Sequence, residues 1–228
     1  MGTIVIATRN RHKVAEIQQI LGGPWRFLST ADLVDPPEIA ETGETFEANA
    51  RLKATGLAGW LASTGAISAQ EPTLVLADDS GLEVDALGGA PGVHSARYAA
   101  TASSPATNSP DAANNAKLLE KLRELPDLPR TARFRCVLAV AVWVRHRSTR
   151  TGGTDVLPPV HIFQGSCEGA ILPGPRGSAG FGYDPLFQPS GHTQSFAELG
   201  ESEKNRLSHR AAALRELKDW FTQHPSWE

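Results

Sequence analysis

No apolar run in this sequence approaches the roughly 20 residues that a helix needs to cross a bilayer. The start, "MGTIVIATRN", has no charged region ahead of its apolar stretch, so neither a leader nor a membrane partner is expected. Its Met-Gly pair runs into a strand-like segment rather than a flexible tail, which argues against myristoylation. An excess of positive charge is also missing. With 22 basic and 25 acidic residues the formal net charge is −3, and the basic field that drives sequence-independent binding to nucleic acid is absent. A phosphate polymer is therefore not an expected partner. Cysteine is scarce: Cys136 and Cys167 stand far apart, without metal-ligand spacing, and read as reduced thiols of a cytoplasmic protein. No repeat, low-complexity tract or linker interrupts the chain, so its 228 residues read as one domain, 1–228, large enough for a sizeable core.

What is present alternates between short β-branched runs and helical periodicity. "TIVIAT" (3–8) reads as a buried strand. Val14, Ile17, Ile20 and Leu21 then repeat at helical spacing, with Asn10 placed to cap that helix. A second helix is expected over Thr45 to Ala62, with Phe46, Ala50, Ala54, Leu57, Ala58 and Leu61 on one face and Asn49 and Lys53 on the other. "TLVLA" (73–77) reads as another buried strand, which puts Asp78 and Asp79 at its C-terminal end, where open α/β sheets bind ligands. A polar loop (101–110), a helix from about Asp111 to Leu125 and a long strand (132–144) follow. The segment 145–159 is expected to be an exposed connection to a partner strand and turn (160–172). A last helix, about Ser202 to Thr222, carries Leu207, Ala211, Leu214, Leu217 and Phe221 on one face, with Trp220 and Trp227 packing near the end.

Three polar clusters remain once the core is assigned. "TRNRHK" (8–13) combines a hydroxyl, an amide, backbone N–H groups and a lysine at a helix start, equipment suited to phosphate. The second cluster is acidic: Glu38, Glu41, Glu44 and Glu47, then Asp78, Asp79, Glu83 and Asp85. Oxygen donors without cysteine favour magnesium or manganese. Glutamates at a helix start also serve its dipole, and Glu83 and Asp85 are expected to face solvent. Adjacent carboxylates beside a core need a compensating positive charge. Neighbours in extended chain point opposite ways, so one of Asp78 and Asp79 can face a site while the other anchors the loop. The third cluster joins "GSAGFGYDPLF" (177–187) with "EKNRLSHRAAAL" (203–214). Phe181 and Tyr183 offer faces for a flat base, and Lys204, His209 and Arg210 offer donors. Taken one segment at a time, core packing and a solvated helix face explain these residues more simply.

Together, "ATRNRHKVAEI", "ETGETFEANARLKA", "LADDSGLEVDALGGAPGVHSARYA", "ARFRCVLAV", "FGYDPLF" and "EKNRLSHRAAAL" resemble, in order and over nearly the whole chain, the inosine/xanthosine triphosphate pyrophosphatase family. The resemblance implies an elongated α/β domain with a mixed, strongly curved sheet, helices on its faces and a cleft between two lobes, in a homodimer. It implies magnesium-dependent hydrolysis of ITP, dITP or XTP to the monophosphate and pyrophosphate, which removes deaminated purines from the nucleotide pool. Carried onto this chain, Thr8, Arg9, Asn10, Arg11, His12, Lys13 and Lys53 match phosphate-contacting positions, with Ser80 following the acids. Glu41 and Asp79 match the metal site. Asp79 is also the family's usual proton acceptor, a task Asp78 could share. Phe181, Gly182, Tyr183, Asp184, Lys204, His209 and Arg210 match the base pocket. Two features depart from the pattern: Arg9 stands where many relatives have a small or amide residue, and the 145–159 connection is long. A nucleotide-binding regulator without catalysis would not need the full set of Glu41, Asp79, Lys13 and Lys53. An enzyme for modified pyrimidine nucleotides is disfavoured by "SHR" (208–210) and "FGYD" (181–184).

Overall fold

The protein is described by a computed structural model covering residues 2–67, 72–100, 108–143 and 159–224. The 145–159 connection except its last residue, most of the 101–110 loop, and Trp227 lie outside these residues.

The β-branched run Thr3–Ile6 forms β1, buried at every position, as expected for a parallel strand covered on both faces. Asn10 caps the following helix α1 (Arg11–Leu21) by accepting from the amides of His12 and Lys13. Arg26–Ser29 forms β2 and Phe46–Thr64 forms α2, which Thr45 caps through the amide of Ala48. The remaining elements are β3 (Thr73–Val84), α3 (Asp111–Arg123), β4 (Thr131–Trp143), β5 (Val160–Ile171), β6 (Phe187–Pro189), α4 (Phe196–Leu199), α5 (Glu201–Leu207) and α6 (His209–Gln223). The six strands hydrogen-bond in the order β2-β1-β3-β4-β5-β6. β1 is parallel to both β2 and β3, with Thr3 opposite Arg26 and Thr73, while β5 and β6 run antiparallel. The sheet is thus mixed, and the fold is α/β.

Two compact units use this chain. The first comprises 1–79, 137–163 and 214–228; the second comprises 80–136 and 164–213. In the first, Ile4, Ile6 and Ile17 join Leu57 and Leu61 of α2 and Leu74 and Leu76 of β3 in the buried set. The apolar stripe expected on α2 is buried in full, from Phe46 to Leu61. In the second, Leu82, Val84, Leu118, Leu122, Phe134, Phe187 and Phe196 form one cluster. There β5 packs closely on the start of α6, whose backbone and Ala212 methyl lie against Gly165. A Cβ on Gly165 would lie 2.2 Å from the His209 carbonyl oxygen and 2.5 Å from the Ala213 nitrogen.

Two expectations change. The strand expected to stop at Ala77 continues as β3 to Val84, so the two aspartates sit within a strand rather than at its end. Ladder pairing and the buried positions Leu82 and Val84 outweigh the poor β propensity of Asp and Gly. The single helix expected over 202–222 is two, broken at Ser208, whose backbone is extended (φ −66°, ψ 158°). Its hydroxyl accepts from the Ala211 amide, so this serine starts the second helix. On α2, Asn49 and Lys53, opposite the apolar stripe, are buried as well.

Candidate active site

Within the first unit, sequence-distant charges converge on β3. The Lys13 ammonium, two residues into α1, lies 2.5 Å from Asp78 Oδ1. Lys53, projecting from α2, donates to Asp79 Oδ1 at 2.7 Å, to the Asp78 carbonyl at 2.8 Å and to Glu41 Oε1 at 3.3 Å. The adjacent aspartates are therefore compensated by one lysine each. Three carboxylates face two ammonium groups, so the cluster keeps an excess of negative charge. Burial alone would favour the neutral amine of Lys53, but Asp79, Glu41 and Asp78 outweigh it and push its pKa up. Burial raises the Asp79 carboxyl, and the Lys53 and Lys13 charges pull back only part of that rise.

One atom of this cluster has no partner: Asp79 Oδ2 is buried and accepts no hydrogen bond. A buried acceptor left open is costly, and here it lies on the carboxylate whose other oxygen shares Lys53 with Glu41. Asp79 and Glu41 thus offer hard oxygen donors, one of them unspent, which suits Mg²⁺. Among the described residues no group of three or more His, Cys, Asp or Glu could hold a metal alone. Two carboxylates agree with magnesium, which takes its other ligands from water and substrate phosphates. Asn49, one helical turn before Lys53, steadies the segment bearing Glu41 by accepting from the Gly43 amide at 2.7 Å.

The start of α1 is open. Arg9, Asn10, Arg11 and His12 are exposed, while Thr8 and Lys13 are half-buried. Thr8 Oγ1 accepts from the Asn10 amide, and Asn10 Oδ1 from His12 and Lys13. The turn is therefore preset with Arg9 and Arg11 exposed, an arrangement that attracts phosphate.

The second unit holds the other residues singled out in the sequence. Lys204 is buried and donates to Asp184 Oδ2 at 2.7 Å, and its ammonium sits 4.4 Å from the centre of the Phe181 ring. The same Asp184 oxygen accepts from the Phe181 amide at 2.9 Å. A Cβ at Gly180 would fall 2.1 Å from it, so only glycine admits this carboxylate. Arg210, 1% exposed, donates to Ser80 Oγ at 2.9 Å. The His209 ring stacks on Phe134 at 4.8 Å with 10° between the planes. Tyr183 does not offer its ring to a ligand: it lies in the core with its hydroxyl donating to the Ser95 carbonyl, and burial drives its pKa upward. Glu83 and Asp85 form a separate, partly exposed group around Arg133.

Sequence reasoning missed Asp184 as the common anchor of Phe181 and Lys204, and Asn49 as the support of the Glu41 segment. The four-residue spacing of Asn49 and Lys53 was the available signal for the second. It missed Asp111 and Asn115 as well, whose hydrogen bonds to Gly182 span 71 and 67 residues.

The Ham1 family profile matches residues 4–220. A dITP/XTP pyrophosphatase of Geobacter sulfurreducens is 44% identical over 229 aligned positions, covering 100% of this chain and 98% of that protein. One from Shouchella clausii is 42% identical, covering 96% of each. Among solved structures, a HAM1 protein from Coxiella burnetii aligns with a TM-score of 0.78 at 38% identity, over 98% of this chain and 100% of that one. The profile match over residues 4–220, the full-length relatives and the shared fold place this chain in the Ham1 family.

Proposed function

We propose that this protein is a magnesium-dependent pyrophosphohydrolase that converts dITP, ITP and XTP to the nucleoside monophosphate and pyrophosphate. The observation that carries the reading is the Lys53 cluster, where a buried lysine joins Glu41 and Asp79 while Asp79 Oδ2 stays unspent. The names of the full-length relatives supply the substrate class.

In this reading the exposed first turn of α1, with Thr8 to Lys13, takes the phosphate chain, and Lys13 and Lys53 carry its charge. Glu41 and Asp79 would hold Mg²⁺, which when bound would polarise phosphate oxygens and acidify water. Attack by water on the α-phosphorus forms one P–O bond and breaks the bond to the α,β-bridging oxygen. The water proton passes to a carboxylate, and the departing pyrophosphate takes the electron pair with the two lysines offsetting its charge. Asp79, whose carboxyl is raised by burial, is the acceptor in this reading; its one open oxygen is also the atom offered to Mg²⁺, so Asp78, paired with Lys13, shares the task.

The second unit's cluster reads the base. Phe181 supplies a ring face, and donors from Lys204 and Arg210 match the 6-oxo acceptor of hypoxanthine and xanthine. Adenine would place an amino donor against those donors and leave them unpaired, a mismatch able to discriminate by as much as roughly 10⁴-fold in a dry site. The net charge of −3 supports a free nucleotide rather than a nucleic-acid polymer as substrate, and a cytoplasmic site of action is proposed on the family resemblance. A homodimer is proposed on the family resemblance alone.

The test is incubation with Mg²⁺ and dITP, ITP, XTP, ATP or GTP, with products identified by phosphorus NMR. Monophosphate and pyrophosphate from the deaminated purines alone is the expected result. Orthophosphate and diphosphate would move attack to the γ-phosphorus, and binding without turnover would leave a nucleotide-binding regulator.

A further inference from the structure

The loop 181–184 is also held from the start of α3. Gly182 has φ +62°, a conformation that frees both its N–H and its carbonyl to face outside partners. Both are taken by one helix. Asp111 Oδ2 accepts from the Gly182 amide at 2.6 Å, and Asn115 Nδ2 donates to the Gly182 carbonyl at 3.0 Å. The two side chains are one helical turn apart at the start of α3, so they present on one side.

We infer that Asp111 and Asn115 are positioning residues that set base discrimination by clamping both polar groups of Gly182. This rests on the assignment of the Phe181–Asp184 loop to the base.

An aspartate in a first turn normally answers the helix dipole, yet this carboxylate is spent on a backbone amide far along the chain. Asn115 is similarly unexplained by packing. It is half-buried beside the buried Leu118 and Leu119, and its Oδ1 is buried without a hydrogen-bond partner. An apolar residue would avoid that orphan acceptor, so what the amide contributes is its donor to Gly182. The helix start is itself fixed, because Asn114 bonds the Ala96 and Ser109 carbonyls and accepts from the Ala99 amide. On the other side of Gly182, Phe181 lies under the Lys204 ammonium and Tyr183 is locked to Ser95. Releasing Gly182 leaves the one unanchored hinge between the ring that receives the base and the core.

The experiment uses Asp111→Ala and the isosteric Asn115→Asp, which sets a carboxylate oxygen against the Gly182 carbonyl. Steady-state kinetics with dITP and dATP are measured beside inhibition by inorganic tripolyphosphate, which has no base. Expected is a rise of about five- to tenfold in KM for dITP, the scale of one lost hydrogen bond, with kcat held within about twofold. The dITP-to-dATP ratio of kcat/KM should narrow by a similar factor, and the inhibition constant of tripolyphosphate should not move. Asp111→Asn keeps an acceptor for the amide and should restore wild-type KM. Unchanged KM in both variants, or a parallel loss of tripolyphosphate binding, overturns the proposal. Phe181→Ala separates it from the reading beneath it. If that variant leaves KM and the ratio unchanged, the base assignment fails; if it alone raises KM, only the clamp fails.

Discussion

Each unit buries one lysine against one aspartate at the same 2.7 Å, Lys53 with Asp79 and Lys204 with Asp184, yet the two pairs are finished differently. Asp184 Oδ2 receives both the Lys204 ammonium and the Phe181 amide, and Gly180 leaves it room. Asp79 spends one oxygen on Lys53 and leaves the other buried and open, beside two further carboxylates. A closed pair of this kind fixes shape. An open one stores an unmet demand for a cation or a proton, which is what a reacting centre requires.

The contrast breaks most sharply at Asp79. Asp79→Asn should lower kcat by roughly 10²–10⁴-fold, the usual contribution of a positioned proton acceptor, while urea unfolding of the metal-free protein shows no loss of stability, because a charge leaves an overcrowded cluster. Equal loss of stability and activity would make this pair merely structural. Next in size, Lys204→Met strands the Asp184 carboxylate at 3% exposure and should cost about 3–5 kcal/mol in urea unfolding. A cost below about 1 kcal/mol would remove the closed-pair reading. Arg210→Ala should narrow the preference for dITP over dATP by about 10- to 100-fold, the range for a hydrogen bond from a charged donor; an unchanged ratio of kcat/KM would show that Arg210 does not read the base.

The smallest effect is a difference of sign with pH. The Asp79 carboxyl is raised by burial, so the folded metal-free protein binds its proton more readily than the unfolded chain does. Its contribution is full below the ordinary value of 3.8 and is lost as pH rises through the folded pKa. Glu198 is lowered, first by the Ser195 amide it caps, with Arg176 assisting. Its contribution is present above 4.5 and is lost as pH falls through the folded pKa. Chemical denaturation across that range should therefore show the gap between wild type and Asp79→Asn opening upward with pH, and the gap to Glu198→Gln closing downward.

Much of this was legible in the chain, for reasons that can be stated. The cap at Asn10 and the stripe on α2 depend on local geometry, and local spacing reports it. The demand for positive charge at Asp78 and Asp79 followed from electrostatics alone, although its answer lay in lysines 65 and 26 residues away. Periodicity could not see the break at Ser208, because Leu207, Ala211 and Leu214 keep helical spacing across a single extended residue. Nor could it see β3 running past its aspartates, since that depends on pairing with other strands. β2 and β6, of four and three residues, are too short to register a period at all. Phe181 and Tyr183 stood as equal candidates for stacking or for the core, because composition does not say which of two neighbouring aromatic rings turns inward.

Most contacts in a protein can be loosened by degrees, since a side chain trimmed or lengthened shifts its neighbours a little. At Gly165 the main chain of α6 lies directly against β5, and trimming the adjoining Ala212 methyl would leave that contact in place. Variation there is all or none: alanine already demands that the first turn of α6 move off the strand, carrying His209 and Arg210 with it. A saturation library at this position should divide into glycine and failure, with no graded series between, which makes an inconspicuous strand residue one of the least negotiable letters in the sequence.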